Sequence, residues 1–444
     1  LQIKPDNSIV LKNLGIAFLE KREPEKAIPI FKAAIDLKPQ NVSILTKLAT
    51  AYVKTESLED ALDILNTANK LKPEDPHIYN NIAYIYLKKK ELQLSILYYE
   101  KALKLDTKND KFLTNIGVAF AENGEYEKAI RTYKRAIKIN PSNIYALKNL
   151  GIVHTRTGFL KEAIDCFKKA LTLRNDFAEA FFGLGRAYLD QGELSKSINN
   201  YNKVLELQPK HYSSLHSLTW PLVLTKDFMK GWEMYEYRWH VEPQIKQNRP
   251  FQNRELWDGQ KDKKIVLWKE QGIGDDILFL SLVPEVFKIS RTLSVYTDPR
   301  LIPLCGRSMP DINFLPDEKT LKNEIFDYHL PMGSLPRLFR NSEKDFDRAI
   351  RGYLKADPKR VELLRDELGL KEKRVVGISW KSINGSNMEN KNLSLILLSK
   401  VFKDLDITLV NLQYGDVDEE IREFKKETGI EVLQCASVDN RDDL

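Results

Sequence analysis

The chain has 444 residues, of which 42% are hydrophobic and 30% are charged, and its formal net charge is +6. This length exceeds what one hydrophobic core covers, so we expect more than one domain. The basic excess is too mild for a nucleic-acid-binding protein, and no apolar run is long enough to cross a bilayer. Three widely separated cysteines, Cys166, Cys305 and Cys435, form no metal-binding or disulfide spacing, which favours a reducing, cytoplasmic location.

A pattern that recurs every 34 residues covers the first half of the chain. Its first column is small: Gly15, Ala49, Ala83, Gly117, Gly151 and Gly185. Its second column is aromatic or leucine: Phe31, Leu65, Tyr99, Tyr133, Phe167 and Tyr201. Small residues let paired helices approach closely, and the larger side chains fill the space between them. Four units close with a proline, at Pro39, Pro73, Pro141 and Pro209, because proline cannot continue the hydrogen bonding of a helix.

This pattern resembles the tetratricopeptide repeat, with six full units over 8–211 and partial units at both ends. The resemblance implies an α-helical superhelix over 1–240, in which the first helix of each pair lines a concave face. Because 1–5 matches the tail of an earlier unit, we expect the full protein to contain a longer array.

One polar column stands two residues before the small residues. It holds Asn13, Asn81, Asn115 and Asn149, with Lys47 and Gly183 in the two other units. An amide both donates and accepts hydrogen bonds, so a row of amides can hold an extended polypeptide without reading its sequence. The column resembles the asparagine-rich one of the protein O-linked N-acetylglucosamine transferases, which implies that it grips an acceptor polypeptide. The alternative is that each asparagine satisfies carbonyls between neighbouring helices.

The segment Lys264–Pro284 has the pattern of a strand, a glycine loop and a helix. Ile265–Trp268 is a short apolar run, typical of a buried strand. Gly272 and Gly274 form the turn, and Asp275 is predicted to cap the following helix. Such a unit lets backbone N–H groups approach a phosphate or a sugar.

Gly274, Asp275 and Pro284 resemble the corresponding positions of the bacterial heptosyltransferase family. The resemblance implies that Asp275 is the base that deprotonates an acceptor hydroxyl, a step that needs a carboxylate within hydrogen-bonding reach. The alternative is that Asp275 only caps the helix. The neighbouring Asp276 is the second candidate for the base.

Strands and helices continue to alternate after this loop, and a second buried run, Arg374–Trp380, opens another strand–loop–helix unit. The two sets resemble the Rossmann-like halves of a GT-B glycosyltransferase, an α/β fold. We predict the acceptor-side half over 241–360 and the start of the nucleotide-sugar-binding half over 361–444. Because few strands follow 361, we expect this second half to be incomplete.

The diphosphate of a sugar donor needs cationic partners as charge builds on it in the transition state. Lys381 and Lys391 are the basic residues in and just after the second loop, and Lys391 resembles the diphosphate-binding lysine of the O-linked N-acetylglucosamine transferases. Ser379 belongs to the same donor-side loop, and Gln413 is predicted to contact the base or the sugar. No acidic motif suited to a metal-held diphosphate follows a predicted strand, so we expect neither a metal nor a cofactor.

The sequence therefore predicts a bacterial, metal-independent glycosyltransferase that moves a sugar from a nucleotide sugar to a polypeptide held by the repeats. Two alternatives stay open. One is a non-catalytic tetratricopeptide scaffold for protein–protein interaction with a degenerate sugar-binding region. The other is an enzyme with a glycan acceptor, whose repeats only recruit partners. Binding of a nucleotide sugar separates enzyme from scaffold, since only an active transferase needs it.

Overall fold

The computed structural model describes residues 7–241, 249–270, 272–347, 352–370, 374–381, 392–402, 405–435 and 438. The chain divides into two compact units, Leu1–His211 and Tyr212–Leu444. The domain limits at 240 and 360 remain predictions. Within the described ranges, no helix is both long enough and apolar enough to span a membrane.

Helices that pack in consecutive pairs build the first unit. They are α1 (Ser8–Glu20), α2 (Pro24–Leu37), α3 (Val42–Lys54), α4 (Leu58–Leu71), α5 (Pro76–Lys88), α6 (Leu92–Leu105), α7 (Asp110–Glu122), α8 (Tyr126–Ile139), α9 (Ile144–Arg156), α10 (Leu160–Leu173), α11 (Ala178–Asp190) and α12 (Leu194–Leu207). Successive pairs begin 34 residues apart, at 8, 42, 76, 110, 144 and 178. The period of the sequence is therefore the period of the structure, which confirms the predicted helical repeat.

Close packing within each helix pair explains the column of small residues. A Cβ added at Gly117 would lie 2.5 Å from Cε1 of Tyr133, and one at Gly185 would lie 2.6 Å from Cε1 of Tyr201. Both tyrosine rings are buried. A Cβ at Gly117 or Gly185 would require the tyrosine ring to move, so the first helix needs a glycine or an alanine where the ring of the second helix crosses it.

Ser95 and Ser197 lie in the second helices at the position where the four other units have alanine. Ser95 Oγ donates to the carbonyl of Ala83 at 2.9 Å, and Ser197 Oγ donates to the carbonyl of Gly185 at 2.7 Å. Both serines are fully buried. The hydrogen bonds offset the cost of burying a hydroxyl, so the repeat tolerates this substitution.

The second unit begins with short helices: α13 (Tyr212–Ser217), α14 (Thr219–Leu224), α15 (Phe228–Tyr235) and α16 (Arg238–Val241). The aromatic-rich run 228–239 predicts a single helix, but the structure interrupts it at Glu236 and Tyr237, between α15 and α16. The N–H of Tyr237 donates to the carbonyl of Met234 at 3.1 Å. A bond between residues three apart tightens the last turn and ends the helix.

A four-stranded parallel sheet follows, in the order β3-β2-β1-β4. Its strands are β1 (Lys264–Trp268), β2 (Thr292–Tyr296), β3 (Asn313–Leu315) and β4 (Tyr328–Pro331). The helices between and after them are α17 (Ile273–Leu280), α18 (Val283–Phe287), α19 (Ile302–Ser308), α20 (Glu318–Asn323) and α21 (Leu335–Phe339). Leu267, Val295 and Leu330 point into a common core with Leu280 and Val283. Burial on both faces explains why the central strand β1 is a continuous apolar run from Ile265 to Trp268.

A second, three-stranded parallel sheet has the order β5-β6-β7. It consists of β5 (Val375–Ile378), β6 (Thr408–Asn411) and β7 (Val432–Leu433), with α22 (Pro358–Glu367), α23 (Leu395–Phe402) and α24 (Asp418–Thr428). Ile378, Leu409 and Phe424 form its core. The predicted alternation of strands and helices is thus present in this unit, whereas the finer GT-B assignment stays a prediction.

Candidate functional site

The asparagine column lies on the first helices of four pairs. Asn13 on α1 is exposed, and Asn81 on α5, Asn115 on α7 and Asn149 on α9 are half-buried. All four residues therefore keep part of their surface accessible to solvent. This exposure is compatible with a bound polypeptide and equally with contacts to neighbouring helices.

Side-chain amides connect the third and fourth helix pairs. Asn115 Nδ2 donates to Asn80 Oδ1 at 2.9 Å, and Asn80 Nδ2 donates to Asn81 Oδ1 at 3.4 Å. The partners are therefore other amides, one of which, Asn80, precedes the predicted column. Among the described residues, Asn81 Nδ2 and Asn115 Oδ1 have no hydrogen-bond partner. One donor and one acceptor thus remain at the ends of this amide chain.

The column is interrupted for a steric reason in the last unit. A Cβ at Gly183 would lie 2.4 Å from Cε1 of Phe167, whose ring is fully buried. Neither asparagine nor any other side chain fits there without moving that ring. In the second unit of the array the position holds Lys47, which is exposed.

Aromatic and basic side chains flank the amides. Tyr84 is 39% exposed and lies three residues after Asn81, and Tyr145 is 53% exposed and lies four residues before Asn149, so each shares a helix face with its amide. Lys148 Nζ lies 5.9 Å from the centre of the Tyr145 ring. Burial lowers the pKa of Lys148, and the more distant Glu179 opposes this shift. We call Asn80, Asn81, Asn115, Asn149 and these flanking residues the amide face.

The glycine loop after β1 differs from the prediction in its cap. Helix α17 begins at Ile273 with Gly272 as its N-cap, and Asp275 and Asp276 lie inside the first turn. The assignment of Asp275 as the cap was therefore wrong, because the N-cap lies three residues earlier, at Gly272. A carboxylate in the first turn still interacts favourably with the helix dipole. Asp275 is half-buried, and Gly274 has open space around it.

Of the two acids, Asp276 is the more deeply buried. Its side chain is 2% exposed, and Oδ2 accepts from Thr297 Oγ1 at 2.9 Å and from the N–H of Asp298 at 3.1 Å. Burial raises the pKa of Asp276 to about 6, although these two hydrogen bonds lower it. These two hydrogen bonds join the start of α17 to the residues that follow β2. The role of Asp276 that they indicate is to hold these two segments together.

A buried ionic cluster that sequence reasoning missed supports the same loop. The Arg238 guanidinium is fully buried and donates from Nε and Nη2 to the two oxygens of Glu270, at 2.8 and 3.0 Å. Arg238 Nη2 also donates to Ser334 Oγ at 2.8 Å, and Nη1 donates to Glu236 Oε1 at 2.9 Å. Burial raises the pKa of Glu270, and the guanidinium opposes this. In the sequence, this cluster is visible only as an arginine and a glutamate that lie 32 residues apart.

Space beside Asp275 is small. The cavity that Glu270, Asp275, Asp276 and Gly333 line has a volume of about 10 Å³, which is about enough for one water molecule. A Cβ at Gly333 would lie 2.6 Å from Glu270 Oε2. An acceptor sugar or side chain would therefore reach Asp275 from the solvent side and not through this cavity.

The predicted donor-side residues of the second sheet lie together. Gln413 is buried, and its Oε1 accepts from Ser379 Oγ at 3.0 Å, from the N–H of Trp380 at 3.0 Å and from the N–H of Lys381 at 2.9 Å. Lys381 Nζ pairs with Glu420. Gln413 thus joins the ends of β5 and β6, and the Lys381 ammonium already has an anionic partner. Lys391 lies outside the described residues.

Comparison with known families decides the nature of the first unit. Models of the tetratricopeptide repeat match residues 1–83, 76–109, 98–131, 117–158 and 142–210. Residues 1–210 are tetratricopeptide repeats. The matched region ends next to His211, where the first compact unit ends. We therefore call Leu1–His211 the tetratricopeptide unit.

The similar proteins match only part of the chain. Protein FlbA of Caulobacter vibrioides is 29% identical over 239 residues, which cover 48% of this chain and 39% of FlbA. The solved structure of YrrB, described as a TPR protein with an unusual peptide-binding site, is 22% identical over 42% of this chain and 96% of YrrB, with a TM-score of 0.33. MamA is 27% identical over 37% of this chain and 96% of MamA, with a TM-score of 0.32. None of these matches gives support for a glycosyltransferase region.

Proposed function

We propose that the tetratricopeptide unit binds an extended polypeptide along the amide face, and that the chain acts as a protein-interaction scaffold. The observation that carries this proposal is the amide chain from Asn81 through Asn80 to Asn115, which leaves one donor and one acceptor without a partner among the described residues. An extended backbone offers both groups in alternation, so it can complete such a chain whatever its side chains are.

The surroundings of the amides favour a polypeptide over a small polar ligand. Tyr84 and Tyr145 expose large aromatic surfaces beside the amides, and tyrosine contributes contact area at little cost in conformational entropy. Lys148 adds a cation that is already partly buried, which lowers its pKa. Together these groups offer apolar contact, backbone hydrogen bonding and charge on one face.

The test starts from peptides selected on the full chain from a random displayed library. The affinity of a selected peptide is then measured by fluorescence anisotropy for the wild type and for a variant with Asn81→Ala, Asn115→Ala and Asn149→Ala. Three amides at about 0.7 kcal/mol each predict a loss of about 2 kcal/mol, or roughly 30-fold in Kd.

A matched control replaces three exposed asparagines of the second helices, Asn66, Asn199 and Asn202, with alanine. This variant also loses three surface amides, and we expect its affinity to stay within about twofold of the wild type. Equal loss in both triple variants, or unchanged binding by the amide-face variant with wild-type circular dichroism, would remove the amide face from the binding site.

A second candidate function is sugar transfer in the second unit. It is supported by the parallel strands, by the half-buried Asp275 in the first turn after β1, and by the group Ser379, Lys381 and Gln413 at the ends of β5 and β6. In this proposal Asp275 deprotonates the acceptor hydroxyl, and Lys381 and Lys391 stabilise the leaving diphosphate without a metal. The donor is a nucleotide sugar and the acceptor is the bound polypeptide.

Intact-protein mass spectrometry tests the second candidate. The chain is incubated with a selected peptide and UDP-glucose, UDP-N-acetylglucosamine or GDP-mannose, beside an Asp275→Asn variant. The proposal predicts a peptide mass gain of one sugar with the wild type and none with the variant. Absence of a mass gain together with absence of nucleotide-sugar binding in calorimetry would leave the scaffold as the function.

A further inference from the structure

A second and larger cavity lies at the carboxyl ends of β1 and β2. Its volume is about 440 Å³, and Trp268 and Tyr296, the last residues of the two strands, form part of its wall. Parallel α/β sheets commonly bind ligands in a crevice at this edge. The volume lies within the range of small-molecule sites. The predicted donor-side residues and the amide face are not among its lining residues.

The charge of the lining favours an anion. Arg249, Lys269 and Lys322 contribute cations, and Glu318 is the acid in the lining. Glu318 pairs with Lys322 at 3.2 Å, but both of these side chains are more than half exposed, so this ion pair contributes little. Lys269 Nζ lies 3.5 Å from Asp298 Oδ2, whereas Asp298 has a closer partner in Arg300 at 2.9 Å.

Arg249 has an unsatisfied polar atom at this site. Its Nε is buried and has no hydrogen-bond partner among the described residues. A buried guanidinium N–H without an acceptor costs free energy, so the protein around Arg249 does not fully satisfy this side chain. Arginine also presents several donors in the fork geometry that fits phosphate oxygens.

The remaining wall is rigid on one side and rich in amides on the other. Trp268 Nε1 donates to His329 Nδ1 at 3.1 Å, and burial lowers the pKa of His329 to about 4, so its ring is neutral and accepts this bond near pH 7. The indole is therefore held in place. Gln252 and Asn253 line the cavity with amide groups, which hydrogen-bond hydroxyls in either direction.

We propose that this cavity binds a sugar phosphate. Arg249 and Lys269 bind the phosphate, Gln252 and Asn253 bind ring hydroxyls, and Tyr296, beside the buried Trp268, packs against the sugar ring. The proposal concerns a different part of the chain from the polypeptide-binding face and does not depend on it, nor on transfer of a sugar.

Isothermal titration calorimetry of the full chain tests the proposal with glucose 1-phosphate, glucose 6-phosphate and ribose 5-phosphate, and with glucose and inorganic phosphate as comparison probes. At least one sugar phosphate should bind, glucose should not bind up to about 10 mM, and inorganic phosphate should bind at least about tenfold more weakly than the sugar phosphate. Arg249→Gln and Lys269→Gln should each weaken binding by about tenfold or more. Lys319→Gln, an exposed lysine of the same helix as Lys322, should change nothing.

Three results would overturn the proposal. They are absence of heat with every sugar phosphate, equal affinity for inorganic phosphate, and binding that Arg249→Gln and Lys269→Gln leave unchanged. If Arg249→Gln loses the near-ultraviolet circular dichroism of the folded chain, Lys269→Gln and Gln252→Ala decide in its place, and unchanged affinity in both contradicts the proposal.

Discussion

At the scale of single residues, the cluster of Arg238, Glu270, Glu236 and Ser334 shows how a buried charge is made tolerable. A buried ion pair is stable only when every charged atom keeps a partner, because desolvation costs several kcal/mol per ion. Here the guanidinium donates to three different side chains, and Glu270 also accepts from the N–H of Gly333 at 3.0 Å. The cluster therefore holds the loop after β1 in place.

Asp276 makes the stability of the second unit depend on pH. Its pKa rises from 3.8 in the unfolded chain to about 6 in the fold, chiefly through burial. The folded state thus binds more protons, so the stability that Asp276 contributes is complete below about pH 3.8 and is lost as the pH rises through about 6. The expected loss is roughly 2–3 kcal/mol.

Urea unfolding of wild type and Asp276→Asn at several pH values between 4 and 7 measures this loss. All six tryptophans lie after residue 211, so tryptophan fluorescence follows the second unit. Asparagine resembles the protonated acid, and the variant should gain stability relative to the wild type as the pH rises. Asp311→Asn, at an exposed carboxylate, controls for the loss of one charge. Parallel pH profiles of Asp276→Asn and wild type would contradict the prediction.

At the scale of elements, the turn within each helix pair contains one residue in the left-handed region. The column is Arg22, Glu56, Lys90, Gly124, Gly158 and Gly192, with φ between 61° and 81°. A side chain with a Cβ is strained in this region, whereas glycine is not. The first three pairs therefore contain a strained residue that the next three avoid.

We predict opposite effects of two substitutions in this column. Glu56→Gly should raise the free energy of unfolding of the tetratricopeptide unit by roughly 0.5–1 kcal/mol, and Gly124→Ala should lower it by about 1 kcal/mol. Both sites are exposed, and a Cβ at Gly124 would meet no atom within 4 Å, so backbone strain is the main cause. Urea unfolding followed by far-ultraviolet circular dichroism gives both values, and effects of the same sign would refute this explanation.

At the scale of the whole molecule, two limits in the chain agree. The tetratricopeptide matches end at residue 210, and the first compact unit ends at His211. Each repeat packs mainly on its neighbours, so an array is stable as a sum of local interfaces. The sequence predicts that a partial unit extends the array to residue 240, and this limit stays a prediction.

Because the first compact unit ends at His211, we predict that residues 1–211 fold without the rest of the chain. The fragment should show the helical circular dichroism expected for α1 to α12 and a sigmoidal urea transition. Its midpoint should agree with the transition that circular dichroism reports for this unit in the full chain. A fragment that is unfolded at 1–211 but folded at 1–241 would show instead that the array needs the short helices after His211.

The sequence by itself determined the features that repeat. A small residue every 34 positions and a ring in the following helix define where two helices touch, because the contact is local and recurs in every unit. The apolar run Ile265–Trp268 likewise predicted β1, since a strand that is buried on both faces carries no alternating polar residues. The run that predicted β5 was expected to be buried, whereas Val375 and Gly377 are exposed.

Only the tertiary structure decided the features that depend on distant partners. Arg238 and Glu270 are unremarkable in the sequence, and the fold makes them a buried pair. The loop geometry moved the N-cap from Asp275 to Gly272, and the packing of Phe167 explains why Gly183 interrupts the asparagine column. For Arg238 and for Gly183 the controlling atom belongs to another element, and a local pattern carries no information about where that element packs.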